Sequence, residues 1–171
     1  MNQDLFSLIQ DFIKRYPQIF EIGELTSTTD FDNLNPDLIK KLPIWYSELL
    51  RTFPIAGAEI GIPNDFGQSN LKGLPLKELP ILTITMNDLA TLEQETIECF
   101  PGCELIKVGY LCVAKDEQTT HEGIYIDLKI EDSPLFLVYH DLGETNLELI
   151  KNAEKLLDKF SDLFKLGKIE N

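Results

Sequence analysis

Two histidines and three cysteines are all that the 171-residue chain offers to a metal or to nucleophilic chemistry. His121 and His140 complete no ligand spacing such as HExxH; Cys99, Cys103 and Cys112 are odd in number and form no CxxC pair. The expectation is no metal, no cofactor and reduced thiols in a cytoplasmic protein, with Cys112 serving as packing inside an apolar run. No uncharged apolar run approaches the roughly 18 residues of a membrane helix. The N-terminus carries Asp4 and lacks the basic, apolar, small-residue succession of a signal peptide. Gly57 and Gly61 make neither a GxGxxG fingerprint nor a P-loop. Adjacent acids such as Asp116–Glu117 and Glu131–Asp132 diverge on a strand instead of converging across a pocket. Cys112 with His121 is a weak pairing, with no third group signalled to orient it. These absences point away from an enzyme.

Basic residues are scarce as well. Fifteen Lys and Arg stand against 29 Asp and Glu, a formal net charge of −14. Such an excess repels a phosphate backbone, so nucleic acid is not an expected partner. It attracts a basic protein and speeds the encounter, although the plainer role of such charge is solubility.

What the chain does have is a run of strand signals from Gly109 to Asp141. Ile124, Ile126, Leu128 and Ile130 alternate with Tyr125, Asp127 and Lys129, which sends one face to a core and leaves the other for solvent or a partner. Leu105 to Ala114 reads as a more buried strand before it. Leu135 to His140 reads as a third strand after the turn Glu131-Asp132-Ser133-Pro134. Links this short leave no room for a crossover helix, so the three pair antiparallel as a meander. Leu79 to Thr85 adds a strand, with short edge strands expected around Glu59 to Ile62 and near Leu74.

Helical spacing appears on either side. Leu5, Leu8, Ile9, Phe12, Ile13 and Tyr16 share one stripe before Pro17. Residues 21 to 35 read as a polar loop. Asn35-Pro36-Asp37 then opens a helix with a cap, a proline at the first position and an acid in the first turn. Leu42-Pro43 opens another, whose apolar face is Leu42, Trp45, Tyr46, Leu49 and Phe53. A further helix is expected from Asn87 or Asp88 to about Phe100. Leu147, Ile150, Ala153, Leu157, Phe160 and Phe164 predict one long amphipathic helix stopping near Gly167. The fold class is therefore α+β: a single domain over residues 1–171, with an antiparallel sheet, helices packed against it and that long C-terminal helix. Residues 1–34 read as an N-terminal helix and loop extension, and residues 35–166 as the core.

LPIWYSELL, beginning at Leu42, resembles the opening of the SUKH superfamily, which joins bacterial immunity proteins to fungal regulators of cell-wall glucan synthesis. LIKVGYLCVA through GIYIDL is similar to that family's central hairpin, and the closing amphipathic stretch from Asn146 fits its order of elements. The resemblance covers roughly residues 35 to 164. Where the family commonly turns on Asn-Gly-Gly after the first helix, this chain reads FPIAGAEIG. The resemblance implies an immunity protein that binds and neutralises a toxin domain, such as a basic nuclease, passed between competing bacteria. A regulatory or scaffold protein of the same fold is the alternative, and an uncharacterised enzyme the second.

The contact surface is expected on the meander's loops and strand ends, where Lys129 is the only Lys or Arg between Asp116 and Glu144. Asp116, Glu117, Glu122, Asp127, Glu131 and Asp132 are candidates for a negative patch at one end of the sheet. His121 is a candidate loop contact, and Phe66 and Tyr125 are candidate aromatic anchors. The connection from 57 to 80 is long for a compact domain, a length often tied to function.

Overall fold

The meander expected in the middle of the chain runs through the whole sheet. A computed structural model describes residues 3–63, 81–116 and 121–169. Phe66, Glu117 and most of the 57–80 connection, with the strand expected near Leu74, lie outside the described residues. Among the described residues, six strands pair antiparallel in chain order: β1 (Glu59–Pro63), β2 (Ile81–Met86), β3 (Tyr110–Asp116), β4 (Gly123–Asp127), β5 (Leu135–Val138) and β6 (Glu154–Leu157). The strand read over 105–114 begins only at Tyr110, because the chain winds helically as far as Val108. The strand read over 124–130 ends at Asp127, and Ile130 is exposed in the turn beyond it.

The helices follow local signals. In α1 (Gln3–Arg15), Leu5, Ile9 and Phe12 are buried, Asp4 stands in the first turn and Lys14 and Arg15 in the last, each sign matching the helix dipole. The stretch read as a polar loop holds α2 (Ile19–Ile22) and α3 (Thr28–Asp32). The second starts on a capping box in which Ser27 and Asp30 satisfy each other's backbone N–H. Asn35 caps α4 (Pro36–Lys41) by accepting from the Asp37 N–H at 2.8 Å. α5 (Ile44–Thr52) buries Tyr46, Leu49 and Leu50. Between β2 and β3, Asp88 caps α6 (Leu89–Glu93), which widens into a π turn over Gln94–Glu98 before the short α7 (Gly102–Leu105).

Period-2 alternation assigns the sheet's two faces, and both are covered. Leu111, Val113, Ile124, Ile126, Leu135 and Leu137 face the main core with α1, α4 and α5. Cys112, Tyr125 and Val138 face the other way, beneath Leu105 and Leu149. The face read from the sequence as wet or partner-binding is thus closed at Tyr125.

The same geometry breaks the expected C-terminal helix into α8 (Asn146–Asn152), strand β6 and α9 (Asp162–Leu166). Leu149 belongs to the second core, whereas Leu156, Leu157, Phe160, Leu163 and Phe164 belong to the main one. A straight helix presents one apolar stripe and cannot serve both sides of a sheet. The chain passes around the edge in extended form instead, pairing with β5 as it goes.

Beyond that edge, Phe160 stacks against Trp45 (5.4 Å between centroids), Tyr46 (6.1 Å) and Phe164 (5.6 Å), and Phe164 against Phe12 (5.6 Å). One aromatic cluster so joins α1, α5 and α9. After Gly167, where a Cβ would meet Ile60 Cγ2 at 2.7 Å, Lys168 exchanges two backbone hydrogen bonds with Gly61 of β1 (2.7 and 2.8 Å). Phe160→Ala is expected to cost about 3–5 kcal/mol. It should read as a lower urea midpoint with little change in slope; a loss under about 1 kcal/mol would show that the cluster does not hold the two ends of the chain.

Candidate functional site

β4 separates the acids that the sequence placed together. Glu122 precedes its first residue and Asp127 is its last, roughly 16 Å apart at about 3.3 Å per residue. Two different environments result, not one patch.

At the first end the side chains are mostly inside. Asp116 is fully buried and Glu122 is 6% exposed. The Asp116 N–H donates to the Glu122 carbonyl at 3.0 Å. Glu122 Oε2 accepts the His140 backbone N–H at 3.1 Å, and Oε1 lies 2.7 Å from His140 Nδ1. Burial pushes the Glu122 carboxyl above its ordinary value, and the His140 contacts oppose the rise. Nearby, burial raises the Tyr139 phenol, with the Glu154, Asp116 and Glu122 carboxylates adding to it. His121 is exposed, at φ +56°.

Tyr125, read as an anchor for a partner, is 1% exposed. Its ring packs with Cys112, Leu105, Val138 and Leu149, and its hydroxyl is hydrogen-bonded with the Cys112 thiol. Asn87 Nδ2 donates to the Cys112 carbonyl at 3.1 Å. Burial pushes the Cys112 thiol up to about 12, so it is no thiolate nucleophile near neutral pH. Asp116, Glu122 and Tyr125 are therefore corrected from surface to interior groups: the sheet's second face has its own cover, and strand ends that meet neighbouring chain are not solvated.

At the second end the acids shape turns. Asp127 Oδ1 accepts the Lys129 N–H at 2.9 Å, and the Asp127 N–H donates to Ser133 Oγ at 2.8 Å. Asp132 stands at φ +56°, and its two carboxylate oxygens accept the N–H and the hydroxyl of Ser161, each at 2.7 Å. It ties the β4–β5 turn to the start of α9. Glu131 is exposed.

A concave surface lies elsewhere, where the α2–α3 link meets α6. It is a groove of about 380 Å³ with Leu25 and Leu89 in its lining and four carboxylates around them: Glu24, Asp30, Asp88 and Glu93. No described residue lining it is basic. Its walls are held by hydrogen bonds between remote segments. The Glu24 N–H donates to the Ala56 carbonyl at 2.8 Å, the Thr26 N–H to the Leu50 carbonyl at 3.0 Å, and the Asn35 N–H to Glu93 Oε1 at 3.2 Å. Asp88 Oδ1 accepts the Thr91 N–H at 2.7 Å. The Ser27 hydroxyl, then its N–H, hold the Asp30 carboxyl below its ordinary value. Leu25 is 56% exposed, and Phe20 (61%) and Ile22 (41%) lie within five residues of it.

Asp88 reads as a cap in the sequence, whereas Ser27-x-x-Asp30 lies in the stretch read as a polar loop, and nothing local reports that the two helix starts line one hollow. Their meeting depends on the Glu24–Ala56 and Asn35–Glu93 contacts, which span dozens of residues. Among the described residues, no group of three or more His, Cys, Asp or Glu is arranged to hold a metal, and no helix is long and apolar enough to cross a membrane. Comparison with protein-family models, curated proteins and solved structures gives no match to this chain.

Asp132→Asn keeps a residue that tolerates the left-handed backbone but removes the charge and one acceptor. It should cost about 1–2 kcal/mol, while Glu131→Gln stays within about 0.5 kcal/mol. Equal denaturation midpoints for both would remove Asp132 from any structural role.

Glu122 gives a pH signature. A carboxyl raised in the folded state binds more protons there than when unfolded, so its contribution falls as pH rises through the folded value. Glu122→Gln keeps an acceptor for the His140 N–H without that loss. Its stability relative to the unmodified chain should thus improve as pH climbs from 4 towards 7. Urea midpoints that run parallel across that range would contradict it.

Proposed function

We propose that this chain is a protein-binding module that acts in the cytoplasm by occupying a basic partner, as an immunity protein does when it neutralises a toxin domain. The observation that carries the reading is the groove between the α2–α3 link and α6, whose lining among the described residues includes four acidic residues and three leucines and no basic residue. Acids at a helix cap are ordinary, but their charge is normally dispersed over the surface or matched by neighbours. Here four acidic residues line one concavity together with apolar residues, the composition of an interface that takes in a cationic side chain.

The rest of the molecule supports the same direction. A net charge of −14 raises the local concentration of a basic partner and speeds association at low salt. A domain that cleaves nucleic acid presents a basic cleft to phosphates, and an acidic protein competes for that cleft. The SUKH resemblance of LPIWYSELL and of the LIKVGYLCVA–GIYIDL hairpin supplies the biological setting, bacterial competition. The binding surface in this reading is the groove, not the sheet ends, because Asp116, Glu122 and Tyr125 are inside and Asp132 is engaged with Ser161.

The test is a pairing experiment with the product of any toxin-like gene found adjacent to the one that encodes this chain. Co-expression should restore growth, and the purified proteins should form a one-to-one complex whose association slows by about tenfold from low to half-molar salt. Unrelieved growth arrest and no complex defeat the toxin reading. A salt-independent association rate defeats the electrostatic part of it.

A further inference from the structure

We infer that Cys99 and Cys103 are a redox pair: a small-molecule disulfide of the glutathione class oxidises them to an intramolecular bridge across the turn that joins the π turn to α7. The pair stands apart from the groove proposed above, since neither residue lines it. Both thiols are part-exposed and free, whereas the third, Cys112, is buried. The backbone fixes their separation. The Cys99 N–H donates to the Gln94 carbonyl at 2.9 Å, which ends the π turn, and the Cys103 N–H donates to the Cys99 carbonyl at 2.9 Å. A bond from a residue to the carbonyl four before it closes one helical turn, whose end Cα atoms lie about 6 Å apart. Disulfides span Cα separations of roughly 4.4–6.8 Å, so the turn as it stands has the span of a bridge.

The turn is held from outside as well. Gly102 lies so close to the π turn that a Cβ would fall 1.8 Å from the Glu95 carbonyl oxygen. The Glu104 and Leu105 N–H groups both donate to the Pro101 carbonyl, at 3.1 and 3.0 Å. With Pro101 and Gly102 buried and both ends hydrogen-bonded, the two thiols are kept as neighbours. Burial first, then the Glu95 carboxylate, raise the Cys99 thiol against the Lys115 ammonium, and Cys103 is near enough to add to the rise. The Lys107 ammonium, held by Glu104, is within electrostatic reach of Cys103. A nearby cation favours a thiolate and burial disfavours it, so Cys103 is the attacking thiol and Cys99 the resolving one.

Cys103 gives its proton to water and attacks one sulfur of the small disulfide; that S–S bond breaks, and one small thiolate leaves and takes up a proton. Cys99 then loses its proton, attacks the Cys103 sulfur of the mixed disulfide and expels the second small thiol. Two protein thiols are oxidised, one small disulfide is reduced to two thiols, and two electrons change hands. Because Cys99 waits one turn away, the mixed disulfide does not accumulate. The bridge ties the π turn to the start of α7, which carries Leu105 over Cys112 and Tyr125. Oxidation so clamps this lid of the second core. In the reducing compartment proposed for the chain, such a bridge is transient and responds to oxidant.

The test equilibrates the full chain with oxidised and reduced glutathione and reads mass and thiol count. Oxidation should lower the mass by about 2 Da, with full reversal by a dithiol reductant. A chromogenic thiol reagent should titrate two groups in the reduced native chain, none in the oxidised chain, and Cys112 alone once that chain is unfolded. Cys99→Ser should accumulate the glutathione adduct at Cys103, and Cys103→Ser about tenfold less of one at Cys99. Alkylation of Cys112 in the native fold should be about fivefold slower with the bridge in place than in a chain carrying both Cys99→Ser and Cys103→Ser. A lasting glutathione adduct on the unmodified chain, a disulfide-linked dimer, or thiols that stay reduced overturns the pair. Equal adducts in the two single variants overturn the division of roles, and an unchanged Cys112 rate overturns the clamp.

Discussion

A sheet that must be covered on both faces governs this molecule. An antiparallel meander can leave one side in water, and the alternation in β4 suggests as much. Tyr125 and Cys112 decide otherwise, since each places its bulk on the second face and needs a lid. The lid comes from two short helices, α7 before the central strands and α8 after them. Because the main helical layer lies on the opposite side, the chain crosses the plane of the sheet to supply it. That crossing accounts for the strand β6 where a continuous helix would otherwise form.

The acid excess divides by role once the fold is in place. Some carboxylates are interior or tied groups: Glu122 holds His140, and Asp132 holds Ser161. Others neutralise nearby lysines at the surface, as Glu104 does with Lys107 and Asp37 with Lys40. Glu95 and Lys115 pair at 2.7 Å where the π turn passes the sheet. In the groove set Asp30, Asp88 and Glu93 are likewise held by neutral donors, but they line a single concavity. Net charge alone describes none of this, because it does not separate a carboxylate in structural use from one facing an open hollow.

Much of the architecture was legible in the sequence for identifiable reasons. Leu5, Ile9 and Phe12 mark α1 by spacing, Asn35-Pro36-Asp37 marks α4 by cap chemistry, and the links between β3, β4 and β5 are too short for anything but antiparallel neighbours. Sequence reasoning lost ground wherever a local pattern was compatible with two structures. From Leu147 to Phe164 the apolar spacing suits a helix throughout, and only the side of the sheet that each residue serves shows why it is interrupted. Tyr125 alternates as an outward residue should, yet outward here means towards Leu105 and Leu149. The candidate site was the least legible part. Asp88 announces a helix start, Ser27 and Asp30 sit in a stretch that reads as a polar loop, and the concavity they share is made by contacts between segments remote in the chain.

The backbone pairing of Lys168 with Gly61 bears on whether the outer strand of the sheet is open to a second copy of the chain. A terminal strand with open N–H and C=O groups is a template on which another copy can extend a sheet, and charge repulsion between copies weakens as salt screens it. Gly61, with no side chain to shield its peptide groups, is a point where such templating begins easily. By occupying that point from within, the segment after α9 acts as a selvedge, protecting the outer strand in conditions where the protein's negative charge no longer does.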